Sequence, residues 1–354
     1  MLDISLLDEE GKPLVEISGY GLRRTGTETH AYQELFSKAE NFRLAVGTKG
    51  DLSSLRLQAD ERRTPDDDEI EIQVSATALN FKEVLYALDM LQMPEEFRFG
   101  LECAGRVSRV GRQVTAFAPG DRVVAFTSGG LGRFVNVAGD CAALQPASLQ
   151  AVEAATLPVA YVTAYHALIT VGHLQEGERV LIHAAAGGVG MAAVRIAQWA
   201  NAEIFATAGS MQKRDYLHSL GIQYVMDSRS GDFAAQIMDT TKNQGVDVVL
   251  NSLAGDLMLK NFEVLAPFGR FLELGVRDIY HNTPLGLKAF SQGQSYAAVQ
   301  LGPATPGFQN DFKTVLQLIE TGELPLLPSR VYPLGKITEA FEYIWPAPAT
   351  SANW

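Results

Sequence analysis

Apolar and polar positions alternate in several short stretches in the first part of the chain. Residues 2–7 and 14–20 flank a Glu10-Gly11 turn and predict an extended hairpin, followed by a polar, linker-like stretch over about 23–41. Residues 42–46, 55–59 and 69–78 predict three strands, the last alternating cleanly. Val84, Leu85 and Leu88 then stand at helical spacing, and a Gly-punctuated strand over 105–111 precedes a Pro119-Gly120-Asp121 turn and a strand at 122–126. Many short strands with Gly and Pro punctuation predict a mainly β lobe. After Leu157-Pro158 the pattern changes. Short apolar strands at 180–183, 204–207, 224–226, 246–250 and 269–274 alternate with helices at 191–200, 211–220, 233–240 and 258–265. This alternation predicts βαβ units on a parallel sheet with right-handed crossovers. A helix over 312–320 and a strand-like run over 327–332 follow.

Composition narrows the functional classes. A length of 354 residues suggests two or three structural units, and 47% hydrophobic with 20% charged residues is ordinary for a soluble globular protein. No window approaches the roughly 18 uninterrupted apolar residues of a spanning helix. The acidic, alternating start is not a signal peptide, so a cytoplasmic location is expected. A net charge of −12 argues against nucleic-acid binding, which needs clustered cations. Cys103 and Cys141 are the two cysteines, too few for a disulfide framework or a structural zinc site, and read as free thiols.

The strongest local signal lies between the strand at 180–183 and the helix at 191–200: His183-Ala184-Ala185-Ala186-Gly187-Gly188-Val189-Gly190. Read as a dinucleotide fingerprint it is Ala185-x-Gly187-x-x-Gly190, with Ala in place of the first glycine. Gly187 would admit the pyrophosphate to the backbone, Gly190 would let the helix pack on the strand, and the helix N-terminus would meet the anion. A bland tight turn is the alternative, and the βαβ series that follows favours the dinucleotide. After the second strand the chain reads Ala206-Thr207-Ala208-Gly209-Ser210, without the acid that would take a ribose 2′-hydroxyl. Ser210, Lys213 and Arg229 suit a 2′-phosphate, so NADPH is expected rather than NADH.

The runs Ala78-Leu-Asn-Phe-Lys-Glu-Val-Leu, Gly100-Leu-Glu-Cys-Ala-Gly, Pro119-Gly-Asp-Arg-Val and Leu157-Pro-Val-Ala-Tyr-Val-Thr-Ala-Tyr-His-Ala-Leu keep order and spacing with the loop. So do Asn251-Ser-Leu-Ala-Gly, Gly269-Arg-Phe-Leu-Glu-Leu-Gly and Arg277-Asp-Ile-Tyr-His-Asn-Thr. Over about residues 40–345 the sequence resembles the zinc-free medium-chain dehydrogenase/reductases, specifically the enoyl reductase domains of polyketide and animal-type fatty acid synthases. The resemblance implies an α/β fold, with a Rossmann-type doubly wound parallel sheet at 156–296. A mainly β, GroES-like substrate lobe would occupy 41–155 and 297–354. Residues 1–40 are expected to be an extended tail of a preceding domain in a longer polypeptide.

The implied activity is NADPH-dependent reduction of an enoyl thioester on an acyl carrier protein, alongside other domains of the same megasynthase. Ala186, Gly187, Gly188, Val189, Gly190, Ser210, Lys213, Arg229, Asn251, Leu274 and Gly275 are the implied cofactor contacts. Asn80, Tyr165, Val276 and Gln300 are the implied catalytic positions, and no metal is implied, since Leu101 stands where the zinc branch has His. Three departures bear on catalysis. Val276 and Gln300 stand where many relatives carry a Lys and an Asp, and Leu91 where some carry a Tyr. Loss of the Lys removes a proton donor. An ordinary reductase is the leading expectation. A ring-closing variant, a degenerate scaffold and a free-standing quinone or enone reductase are the alternatives. Tyr86, Tyr161 and Tyr165 are the nearby guesses for a proton source. For His166, and for Tyr161 and Tyr165, plain packing is the competing reading.

Overall fold

The computed structural model describes residues 39–345 except Glu95, together with two strands nearer the start. Those strands, β1 (Ile4–Leu7) and β2 (Pro13–Ile17), pair antiparallel as the alternating pattern predicts, while the turn between them and residues 18–38 lie outside the described residues. The expected linker and residues 346–354 lie largely or wholly outside them as well.

The first lobe is built from β3 (Asn41–Val46) paired with β4 (Leu55–Asp60), and from a five-stranded antiparallel sheet. That sheet has the order β8 (Phe134–Ala138), β5 (Glu69–Thr77), β6 (Glu102–Val110), β7 (Arg122–Phe126), β9 (Ala142–Leu144). Alternation on β5 places Ile70 and Ile72 fully inside against Val107, Val123 and Val135. Between β5 and β6 runs the short helix α1 (Phe81–Ala87).

The second lobe is a six-stranded parallel sheet ordered β12 (Tyr224–Asp227), β11 (Glu203–Ala208), β10 (Arg179–Ile182), β13 (Val246–Asn251), β14 (Leu265–Glu273), β15 (Ser295–Ala298). In order of appearance the strands lie 3-2-1-4-5-6, the doubly wound arrangement in which ligands bind beyond the carboxyl ends where the order reverses. That reversal falls between β10 and β13. The inner strands β11, β10 and β13 are apolar on both faces because helices cover both: α4 (Gly188–Trp199) and α5 (Met211–Ser219) follow β10 and β11, and α6 (Phe233–Thr240) follows β12.

Two local differences have plain causes. The strand-like run at 327–332 is not a regular strand, since Pro325, Pro328 and Pro333 remove amide donors from a ladder. The expected division at 296/297 falls inside β15. The helix that follows, α9 (Phe308–Glu320), buries Phe308 and Phe312 in the same core as the parallel sheet. Only the later helix α10 (Ile337–Ile344) returns to the first lobe, where Ile337 and Phe341 pack with Phe42, Leu44 and Val84. Among the described residues no helix is long and apolar enough to cross a membrane.

Candidate functional site

β10 ends at Ile182, and the chain turns through Ala184, a non-glycine at φ +48°, before α4 begins. Gly187 caps α4 in extended conformation, and its N–H closes the turn on the Ala184 carbonyl at 2.8 Å. Gly187 and Gly188 are exposed and Gly190 is buried. A Cβ on Gly190 would lie 2.7 Å from the Ala185 Cα and nearer still to the Ala184 carbonyl oxygen, so only glycine lets the helix lie this close. A Cβ on Gly187 would meet only the Ala184 carbonyl oxygen, at 3.2 Å, and one on Gly188 would meet nothing within 4 Å. The fold therefore requires Gly190, whereas the space over Gly187 and Gly188 is open toward the first-turn N–H groups of α4, a ready anion site.

At the end of β11 the side chain of Ser210 caps α5, accepting from the Lys213 N–H at 3.3 Å. The Arg229 guanidinium crosses Gly209, its Nε 3.1 Å from where a Cβ on that glycine would stand. The acid nearby, Asp227, is taken up by Arg214 at 3.0 Å and by the Arg229 N–H at 2.8 Å. Among the described residues the side-chain charges of Lys213 and Arg229 have no acidic partner, and both are exposed. Ser210 thus stands at the start of α5, with Lys213 in its first turn and Arg229 over Gly209.

Asn251 is not a cofactor contact through its side chain, which is fully buried and fully used. Its Nδ2 donates to the Leu253 carbonyl at 2.9 Å and to Glu273 at 2.7 Å, while its Oδ1 accepts from the Leu253 N–H and from Asn261. No donor or acceptor is left for a ligand. Leu274 and Gly275 continue from β14 beside it, the Leu274 N–H bonding to the Asn251 carbonyl at 2.9 Å. Val276 caps a short helix, α8 (Arg277–Tyr280), and Gln300 follows β15, paired in register with β14. Both therefore lie at neighbouring strand ends on one edge of the sheet.

Three buried acids, not singled out by the sequence reading, carry strongly shifted carboxyls, Glu273 at this edge and Glu102 and Glu83 around Asn80 in the first lobe. Glu273, at the end of β14, accepts from Asn251 and from the Gly275 N–H at 2.6 Å, and burial pushes its carboxyl up to about 7. Glu102 opens β6 in the first lobe, yet its Oε2 accepts from the N–H of Val159 at 2.7 Å, in the first turn of α3 (Pro158–Tyr165). Its Oε1 accepts from the Asn80 amide at 3.0 Å. Glu83 accepts from the Asn80 N–H at 2.9 Å and from the Gly100 N–H. Burial raises Glu83 to about 7 and Glu102 to about 8. Asn80 is thus held between two carboxyls. The sequence did carry a signal for this, since both acids lie in the runs 78–85 and 100–105, but their partners are far away along the chain.

Tyr165 does not join this edge. Its ring packs on Trp199, 6.4 Å between centroids, at the end of α4 opposite the glycine loop. Tyr161 is fully buried and its hydroxyl donates to the Pro325 carbonyl. His166 is buried with Asp311 of α9, Nδ1 to Oδ2 2.7 Å, and Thr170 donates to the same carboxylate at 2.8 Å. These three are packing and pairing residues of the core. Tyr86 belongs to the first lobe, edge-on to Phe97 at 4.6 Å.

Residues 66–176 match the family described as alcohol dehydrogenase GroES-like domain, and residues 188–321 match zinc-binding dehydrogenase. The zinc of the second description does not fit the residues present. Among the described residues no group of three His, Cys, Asp or Glu could hold an ion. Cys103 and Cys141 are buried, their thiols pushed up to about 12 chiefly by desolvation. Over 307 residues, 84% of the chain, it is 42% identical to a phenolphthiocerol/phthiocerol polyketide synthase polypeptide of Mycobacterium tuberculosis, of which it spans only 14%. The crystal structure of CurK enoyl reductase superposes with a TM-score of 0.78 at 39% identity, covering 87% of this chain and 96% of that one. CurF ER cyclopropanase from the curacin A biosynthetic pathway does so with a TM-score of 0.79 at 34% identity, covering 86% and 96%.

Proposed function

The chain belongs to the medium-chain dehydrogenase/reductase family, among the enoyl reductase domains of polyketide synthases, and on that footing we propose that it reduces an α,β-unsaturated acyl thioester with NADPH. The acyl group would be carried on an acyl carrier protein of the same synthase. The observation that carries the cofactor assignment is the pair of anion sites along one sheet edge. The open glycine turn before α4 suits the pyrophosphate, and Ser210, Lys213 and Arg229 around Gly209 suit the 2′-phosphate. Charge-assisted bonds to phosphate from a guanidinium and an ammonium are the strong kind.

When bound, NADPH supplies a hydride to the β-carbon of the enoyl thioester. The residues of this chain hold and polarise. Asn80, whose amide donates to Glu102 and lies against Glu83, is the polar group this chain would offer to the thioester oxygen, on which negative charge develops. Glu102 and Glu83 fix that amide, and Leu274 and Gly275 line the strand end opposite the loop. Val276 offers no proton, so the α-carbon is protonated from a source other than a Lys at this place.

Incubation with NADPH and a short 2-enoyl thioester of the carrier-protein arm tests the reading. The nicotinamide absorbance should fall and the product should be two hydrogens heavier. Oxidation of NADPH by a free quinone but by no enoyl thioester would overturn it. So would a product that has lost a leaving group and closed a ring.

A further inference from the structure

Beneath the strand ends a series of side-chain hydrogen bonds runs in one direction. Asn261 donates through Nδ2 to Asn251 Oδ1 at 3.2 Å and to the Leu257 and Met258 carbonyls, which leaves its Oδ1 to accept from His183 Nε2 at 2.6 Å. His183 is therefore the Nε2–H tautomer, and its Nδ1 accepts from the Thr207 hydroxyl at 2.8 Å. Burial keeps that imidazole neutral, its pKa lowered to about 4. Asn251 donates onward to Glu273 Oε2 at 2.7 Å, and Glu273 Oε1 takes the Gly275 N–H at 2.6 Å. The series starts one residue before the end of β11, crosses β10 and β13, and ends at the turn after β14. Glu273 is the acceptor on which it closes. Its carboxyl folds back under that turn so tightly that a Cβ on Gly275 would lie 2.7 Å from Oε1.

We propose that Glu273 is a positioning residue whose carboxylate fixes the Leu274-Gly275-Val276 turn against which the nicotinamide end of the cofactor rests. What occupies the turn is taken from the function proposed above. An ionised carboxylate accepts from Asn251 and Gly275 together. Protonation turns one oxygen into a hydroxyl, a poorer acceptor whose own hydrogen competes with the facing donor, and one of the two bonds is weakened. The groups facing Glu273 are Asn251 on β13, the Gly275 N–H, Asp278 on α8 and Tyr296 on β15, none of them a cation. Burial first, and Asp278 in addition, bring its titration to about 7, so the turn should loosen as pH falls below that value.

The test compares wild type, Glu273→Gln and Gly275→Ala, the second of which pushes the carboxyl aside without touching the core. Amide hydrogen exchange of residues 274–276 is measured without cofactor. NADPH affinity is read by fluorescence and kcat with a 2-enoyl thioester. In both variants exchange at residue 275 should rise about tenfold or more relative to the intrinsic rate of the residue there. A misplaced turn should lower kcat by about tenfold to a hundredfold while NADPH affinity changes less, because the phosphate contacts remain. In wild type the exchange, corrected for its intrinsic pH dependence, should speed up below about pH 7, and in Glu273→Gln it should not. Unchanged exchange and unchanged kcat in both variants would overturn the assignment. Wild type that consumes no NADPH with any enoyl thioester, yet shows Glu273-dependent protection at Gly275, would sink the function while leaving the turn's support in place.

Discussion

Replacing Gly190 by alanine adds one carbon where α4 lies against the turn before it, and the structure says how much must give. The new Cβ would stand 2.7 Å from the Ala185 Cα, where ordinary contact begins at 3.4 Å, so the helix start must back away by about 0.7 Å or more. Both neighbours are main chain and cannot rotate aside. Overpacking against main chain that cannot yield costs about 2–3 kcal/mol, offset by about 1 kcal/mol from the better helix former, which leaves about 1–2 kcal/mol. At about 2 °C per kcal/mol for a chain of this size, Tm should fall by about 2–4 °C. Gly187→Ala meets a single carbonyl oxygen at 3.2 Å and should leave Tm within about 1 °C. Its methyl, however, stands where a pyrophosphate must approach, and NADPH affinity should fall about tenfold or more. Differential scanning fluorimetry and a cofactor fluorescence titration, run on both variants, separate the two roles. A Gly190→Ala protein with unchanged Tm, or a Gly187→Ala protein that binds NADPH as wild type does, would refute the division of labour between these glycines.

NADPH should bind at least about tenfold more tightly than NADH, since each charged phosphate contact is worth about 1.5–3 kcal/mol. Arg229→Ala or Lys213→Ala should narrow that gap in the same titration, and equal affinities in wild type would remove the 2′-phosphate site. Chelators should leave activity and Tm unchanged, and a stoichiometric metal by elemental analysis would overturn this. Val276→Lys with Gln300→Asp should speed turnover, because general acid help is worth about 10²–10⁴-fold and the two positions sit at adjacent strand ends. Fast wild-type turnover indifferent to the pair would strip these positions of mechanistic weight.

What the sequence revealed and what it hid divide along physical lines. Strands β10, β11 and β13 were legible because each is a compact, largely buried apolar run between polar turns. β15 was not, because Ser295-Tyr296-Ala297-Ala298 is short and only partly buried, so it carries no apolar signature. The glycine loop was legible because backbone constraints are written as residue type. Side-chain pairings were not: His166 finds Asp311 across 145 positions and Asn80 finds Glu102 across 22, distances over which no local pattern operates. Tyr165 misled for a related reason. A tyrosine's place in a motif does not say which way its ring points, and here it points to Trp199. Asn251 stood in the right place on the edge, but its amide is consumed by its neighbours.

The two lobes differ in architecture, yet Phe126 of the antiparallel sheet packs edge-on against Phe308 at 4.9 Å and Phe312 at 5.8 Å, in the core that also holds the parallel sheet. Ala104 and Val124 enter the same core, and Glu102 adds a polar stitch to α3 beside it. Neither lobe could come apart from the other without wetting apolar surface that both rely on, and without stripping a buried carboxyl of a partner. In mechanical terms the molecule is one block rather than two plates on a hinge. The spacing between the Asn80–Glu102 pair on one side of this seam and α3 on the other is set when the chain folds.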